Sequence, residues 1–306
     1  MRVLLAGASG TLGRVLVPRL LAAGHQVIGI TRSPQSAERL RGVGAEAIVA
    51  DVLDRDALLR ALDGQRADAV IHELTALRKP PLRFGGMTGT NQLRETGTAR
   101  LIEAAGAVGA TRMLTQSIVF GYGFRRPRPV PLDESAPFGE PEGSRADPTI
   151  AALRSTESQV FDAAGIEGIA LRYGLFYGLD ADVMAPMLRR RMLPVADHDG
   201  LIPFVHHEDA AAATVAALER GVAGRAYNVA DAGSSWRHYA EAAARAFSSP
   251  APLVLPKGLL RAAFPYAAQL MTTMDLRVSS DLARRELAWT PRYASVEQGW
   301  AAMSTG

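Results

Sequence analysis

The sequence predicts an α/β protein built on a doubly wound, mostly parallel sheet with a small C-terminal cap, and three observations carry that reading. An apolar run, Val3-Leu4-Leu5-Ala6, leads directly into Gly7-Ala8-Ser9-Gly10-Thr11-Leu12-Gly13 and then into the helical pattern Val15 to Leu21. Short apolar runs then alternate with helix-length segments, the arrangement of parallel strands joined by crossover helices. A chain of 306 residues, 48% of them apolar, is long enough for one large nucleotide-binding domain carrying a smaller cap. In the opening turn Gly7 lets the chain leave the strand sharply, Gly10 lets backbone N–H groups approach a pyrophosphate, and Gly13 lets the helix pack closely on the sheet. The helix N-terminus then offers its unpaired donors and positive dipole end to phosphate groups. Dinucleotide binding follows.

Composition narrows the partners. Thirty-four basic residues are interspersed with 31 acidic ones for a formal charge of +3, so no basic tract points to nucleic acid. No apolar stretch reaches the roughly 18 residues of a membrane span, and the first residues enter a strand with no signal-peptide pattern, which predicts a cytoplasmic protein with no membrane partner. The absence of cysteine removes disulfides, thiol nucleophiles and thiolate metal sites.

Taken in order, Gln26 to Ile30 reads as the second strand, followed by Thr31-Arg32-Ser33 where the adenosine ribose is held. An acidic residue there accepts from the 2′-hydroxyl of NAD; a guanidinium pairs with a 2′-phosphate. Arg32 therefore favours NADP(H) over NAD(H), unless it is a solvated surface residue, and Arg14 or Arg39 would assist. Ala45 to Ala50 is the third strand, with Asp51-Val52 at its end; Asp51 either contacts the adenine side of the cofactor or caps the helix beginning near Asp54. Asp68 to His72 is the fourth strand. A Pro/Gly-rich stretch from Arg78 to Gly89 precedes a helix over 91–107, then a strand at Arg112 to Gln116, a Gly/Pro/Arg-rich loop over 121–148, a helix over 149–164 and a strand at Gly168 to Arg172. A helix at Glu208 to Arg220 and a strand at Arg225 to Val229 follow.

The G-x-x-G-x-x-G spacing, Leu171-Arg172-Tyr173-Gly174-Leu175-Phe176-Tyr177-Gly178, Phe204 to Asp209 and Arg285 to Pro291 together resemble the extended, epimerase/dehydratase-like branch of the short-chain dehydrogenase/reductase superfamily. The resemblance implies a Rossmann-like fold, a small-molecule substrate and a homodimer paired through the helices over 91–107 and 149–164. It implies that the helix at Glu208 to Arg220 and the strand at Arg225 to Val229 complete a dinucleotide domain of residues 1–178 and 201–230, with residues 179–200 and 231–306 mainly the cap. It implies cofactor contacts from Gly7, Ser9, Gly10, Thr11, Leu12, Gly13, Arg32, Asp51, Val52, Leu74 and Tyr173. His72 matches a position that is mostly structural in that family.

The resemblance fails where the family's chemistry sits. A phenol is a poor acid at neutral pH until a neighbouring ammonium lowers its pKa, which is the purpose of the family's Tyr-x-x-x-Lys pair. The matching helix has Ala152 for the tyrosine and Thr156 for the lysine. The only lysines are Lys79 and Lys257, and Thr75 and Leu253 stand four residues before them, so no such pair exists anywhere in the chain. Arg94 stands for the asparagine that helps hold a proton-relay water. Against S-S-x-x-V-Y-G the chain has Thr115-Gln116-Ser117-Ile118-Val119-Phe120-Gly121, placing Gln116 at the catalytic hydroxyl. Ser117, one place on, either reaches a substrate oxygen or is a turn serine; Tyr122 is the other candidate catalytic residue, ahead of Tyr173 and Tyr177. His206 to Asp209 and Asp197 to Asp199 contain metal-ligand types but are read as structural, with no metal. The reading that results is an NADP-dependent oxidoreductase on a small organic substrate whose reaction needs little acid help or which uses a relocated acid. The alternatives are a redox-neutral isomerase, cyclase or dehydratase, and a non-catalytic NADP(H) sensor.

Overall fold

Seven strands pair in parallel: β1 (Arg2–Ala6), β2 (Gln26–Thr31), β3 (Glu46–Val49), β4 (Ala69–His72), β5 (Arg112–Ile118), β6 (Glu167–Tyr173) and, after three short strands, β10 (Arg225–Val229). Their order across the sheet is β3-β2-β1-β4-β5-β6-β10. The order reverses at β1, so the C-terminal ends of β1 and β4 diverge into a crevice, the place where open α/β sheets bind ligands. This computed structural model describes residues 1–77, 79–124, 130–178 and 181–304. Within the Pro/Gly-rich stretch and the long loop read from sequence, Arg78 and residues 125–129 lie outside the described residues, as do Leu179 and Asp180 at the expected start of the cap.

Each face of the sheet is covered by helices whose apolar stripe matches it. On one face lie α1 (Thr11–Ala22) and, after six helices met below, α8 (His207–Arg220). Leu12, Leu16, Val17 and Leu20 of α1 fall at helical spacing and are buried with Val3, Leu5, Ile71 and Leu171 of the strands. Arg19 and Glu208 tie the two helices together through an ion pair. On the other face α3 (Arg55–Ala61) and α5 (Thr98–Val108) bury Leu58, Leu101 and Val108 against Leu4, Ile28, Val70 and Met113. Between β2 and β3 runs α2 (Pro34–Gly42), capped by the Ser33 hydroxyl.

The helix expected over 91–107 is interrupted. It begins as α4 (Thr88–Gln92), passes through a π turn at Leu93–Gly97 and continues as α5. Next to it, α6 (Asp147–Phe161) carries the positions of the missing pair. Ala152 is fully buried, and the Thr156 hydroxyl lies 2.8 Å from both Thr98 Oγ1 and Thr115 Oγ1, with all three residues buried. These three buried hydroxyls link α5, α6 and β5.

The cap is built around stacked aromatics. Short strands β7 (Leu175–Tyr177) and β9 (Phe204–His206) pair in parallel, and β8 (Leu201–Ile202) pairs antiparallel with β11 (Ser234–Ser235). They pack with α7 (Ala181–Arg189), α9 (Trp236–Ala246), α10 (Lys257–Ala263), α11 (Ala267–Thr272) and α13 (Val296–Ser304). Phe204 and Tyr239 stack with centroids 4.5 Å apart, and Trp300 seals the cluster. Part of the C-terminal stretch returns to the main domain: α12 (Asp281–Glu286) lies beside β10, and Ala283, Leu287 and Trp289 join the core of α1 and α8. Among the described residues no helix is long and apolar enough to cross a membrane.

A buried ion pair fastens α6 to β6. Arg172 gives two short hydrogen bonds to Glu157, Nε to Oε1 at 2.9 Å and Nη2 to Oε2 at 2.7 Å, with both side chains about nine-tenths buried or more. Removing one member strands the other charge in a low-dielectric interior. Arg172→Met is therefore expected to cost about 3–5 kcal/mol of stability by urea unfolding, and a cost under about 1 kcal/mol would contradict the assignment.

Candidate active site and cofactor cleft

The cleft at the reversal point has a volume of about 990 Å3 and is floored by the turn from Gly7 to Gly13. Gly7 has φ +100°, and a Cβ there would lie 2.5 Å from the Glu73 carbonyl oxygen. A Cβ at Gly13 would run into the carbonyls of Gly7 and Ala8. Both positions are closed to any side chain, and Gly10, the N-cap of α1, supplies no side-chain cap while its own N–H donates to the Gly7 carbonyl at 2.9 Å. A cradle of this shape fits a pyrophosphate.

Ser9, Thr11, Leu12, Arg32, Asp51, Val52 and Leu74 line the cleft with these glycines. At the end of β2, Arg14, Arg32 and Arg39 come together on the cleft wall with Ser33 and Ser36. Asp51 is not the helix cap. Its Oδ1 accepts from Leu53 N at 3.0 Å in a tight turn, and the α3 cap is Asp54, which accepts from Ala57 N. Tyr173 does not line the cleft; it is fully buried behind it, with its hydroxyl 3.0 Å from Glu73 Oε1 and 2.7 Å from Thr214 Oγ1.

The two catalytic candidates from the sequence need correction. Side chains alternate along a strand, and on β5 it is Gln116 that faces the cleft, whereas Ser117 points the other way, fully buried, its Oγ without a partner. Tyr122 is also fully buried. Its hydroxyl receives Arg172 Nη1 at 2.7 Å and lies 2.9 Å from Asn228 Oδ1, while its ring meets Phe138 edge-on. Burial, against the opposing pull of Arg172, pushes its pKa up to about 12. It is a structural tyrosine with no path to a substrate. Tyr177 likewise spends its hydroxyl on the Ser295 carbonyl.

The residues that do meet at the far end of the cleft are Gln116, Glu73, Leu74, Thr75, Leu77, Leu93, Phe176 and His207. His207 donates through Nδ1 to the Tyr177 carbonyl at 2.6 Å and stacks on Phe176. Sequence reasoning passed over Glu73, the residue after His72. Its carboxyl is buried, Oε2 has no partner, and burial raises its pKa to about 8 against the opposing hydrogen bond from Tyr173. His72 beneath it is a backbone clamp, with Nδ1 accepting from Leu74 N at 3.2 Å and Nε2 3.3 Å from the Leu93 carbonyl, and burial lowers its pKa to about 4. The histidines of the 206–209 segment are also engaged: His206 Nδ1 caps α8, while Asp209 accepts from Arg292 N and Tyr293 N. Among the described residues no three His, Asp or Glu side chains gather as a metal site.

Comparison with known proteins agrees with this architecture. The model of the NAD dependent epimerase/dehydratase family matches residues 3–230. The chain is 35% identical over 311 residues to 3-diazoavenalumate denitrifying reductase from a Streptomyces species, covering 98% of this chain and 99% of the relative. It is 29% identical over 249 residues to 2-alkyl-3-oxoalkanoate reductase of Stenotrophomonas maltophilia, covering 76% and 71% of the two chains. In fold it is similar to a Thermotoga maritima UDP-glucose 4-epimerase solved with UDP-glucose (TM-score 0.79, 20% identity, 100% and 98% covered). It is also similar to a human epimerase family protein solved with NADPH (0.77, 18%, 100% and 99%). The chain belongs to the NAD-dependent epimerase/dehydratase family and is an NAD(P)-dependent enzyme of oxidoreductase type.

Glu73 makes a testable statement about stability. Its folded pKa of about 8 lies above the usual 4.5, so the native state keeps a proton that the unfolded chain releases. That contribution is fully present below pH 4.5 and is lost as pH rises through 8. Glu73→Gln, which stays neutral, is expected to gain in Tm over the parent as pH goes from 5 to 8.5. A Tm difference independent of pH would show that Glu73 is ionised in the fold.

Proposed function

We propose that this protein is an NADPH-dependent reductase that acts on a small acceptor already activated by its own electron deficiency, an arenediazonium or a closely related diazo compound. The observation that carries the reading is the sealed position of the family's acid/base pair, Ala152 and the hydroxyl-locked Thr156. When bound, the cofactor supplies hydride. Gly7, Gly10, Gly13 and the α1 N-terminus would hold its pyrophosphate, and Arg32, with Arg39 beside it, its 2′-phosphate.

Reduction of a ketone leaves an alkoxide that has to be protonated or held by donors, and a positioned acid typically contributes about 100- to 10,000-fold. An arenediazonium creates no such demand. As the new C–H bond forms, the C–N bond breaks, its electron pair leaves with N2, and the positive charge of the acceptor is neutralised by the hydride. The cleft suits this: the Phe176 and His207 rings and the Leu74, Leu77 and Leu93 side chains offer an apolar wall, and Gln116 offers an orienting amide. The 35%-identical relative of almost equal length bears the name of a denitrifying reductase of a diazo acid, which supports the same chemistry here.

With C4-deuterated NADPH and a substituted benzenediazonium salt, we expect one deuterium in the arene and stoichiometric NADP⁺ above the uncatalysed rate. Acetophenone should be reduced at least about 100-fold less efficiently in kcat/KM. Turnover without label transfer would favour the redox-neutral reading instead. For the cofactor, calorimetry should show NADPH binding more tightly than NADH by about 1.5–3 kcal/mol, roughly 10- to 150-fold, with the difference lost in Arg32→Ala. Equal affinities in the parent protein would remove the argument for the 2′-phosphate.

A further inference from the structure

Arg94 sits on the π turn between α4 and α5, one residue beyond Leu93 of the cleft wall, and only 7% of its surface is exposed. Among the described residues no carboxylate lies within ion-pair distance of it. Its guanidinium makes one long hydrogen bond, Nη1 to Asn91 Oδ1 at 3.4 Å, and Asn91 Nδ2 is 3.5 Å from the Thr149 hydroxyl at the start of α6. On the cap side the nearest interacting group is Tyr266, whose ring stands edge-on to Phe84 at 5.4 Å. A guanidinium taken out of water without a counter-charge costs several kcal/mol, and the five donors of its planar fork are almost unused. Burial lowers its pKa only to about 10, so it is a cation at neutral pH.

We propose that Arg94 is a substrate-recognition residue that pairs with the carboxylate of a conjugated or aromatic acid whose flat skeleton lies against Phe84 and Tyr266. Three features select that chemistry. The fork matches a carboxylate bidentately. A single cation balances one negative charge. The neighbouring rings present apolar faces and edges that suit a planar acid. Arg94 follows Leu93, which lines the cleft with Gln116 and Phe176, directly on the same π turn. This assignment rests on the reductase reading for its role in turnover, but not for binding.

The test uses the full chain saturated with NADP⁺, titrated by calorimetry with trans-cinnamate and with the uncharged cinnamamide. Cinnamate is expected to bind the parent and to weaken at least 10-fold in Arg94→Gln, with cinnamamide weak and unchanged. Arg94→Lys, which keeps the charge but not the fork, should fall between the two and also serves if the Gln variant does not fold. Equal cinnamate affinity in the parent and a folded variant, or no cinnamate binding by the parent, would overturn the proposal. The deuterium-transfer experiment fails separately: loss of cinnamate binding on substitution without any label transfer would leave the anion site standing and remove the reductase reading.

Discussion

The site depends on one close approach, that of the β1–α1 turn to the end of β4. Glu73 N donates to the Ala6 carbonyl at 2.8 Å, continuing the ladder one step past β4, and this brings the Glu73 carbonyl to where a Gly7 side chain would be. Only glycine at 7, with its positive φ, allows the contact, and only glycine at 13 allows α1 to rise from the turn at this angle. From it follow the floor of the cleft and the burial of the Glu73 side chain. A carboxyl forced in at this point, beside Tyr173 and under a phosphate cradle, keeps its proton because its ionised form would have neither water nor a cation.

The same economy of charge marks the rest of the site. His72 is held neutral by burial, Tyr122 is held far from ionisation, and the Thr98, Thr115 and Thr156 hydroxyls satisfy one another. None of these groups is poised to exchange a proton with a substrate near pH 7. The chain has no Tyr-x-x-x-Lys pair in which an ammonium could drive a phenol toward ionisation. Arg94, where the family has asparagine, is the cation that remains nearby, and its pKa of about 10 makes it a binding group and not an acid.

How much of this was legible in the sequence depends on how local the physics is. The glycine spacing, the strands and the loss of Tyr and Lys are written in consecutive residues, and the sheet order follows from short right-handed crossovers. Arg94 was visible as an anomaly, although its lack of a counter-ion was not. What could not be read was anything decided across the fold. Ser117 and Gln116 differ by one position, and one position on a strand exchanges the two faces of the sheet. Tyr122 lies in a Gly- and Arg-rich loop that reads as exposed, yet Phe138, Arg172 and Asn228 close over it from distant segments. Glu73 reads as a polar strand end; Tyr173 and Thr214, 100 and more residues away, make it a buried acid.

These points bear on why the fold tolerates losing its usual chemistry. The cleft is floored by the backbone of the β1–α1 turn, with Arg32 after β2 on its wall. On α6 the Thr156 hydroxyl is matched by those of Thr98 and Thr115, and Ala152 is fully buried. Lacking the pair, the cleft holds no phenol activated by an ammonium, and the acid that lines it with its proton in place is Glu73, whose pKa is about 8.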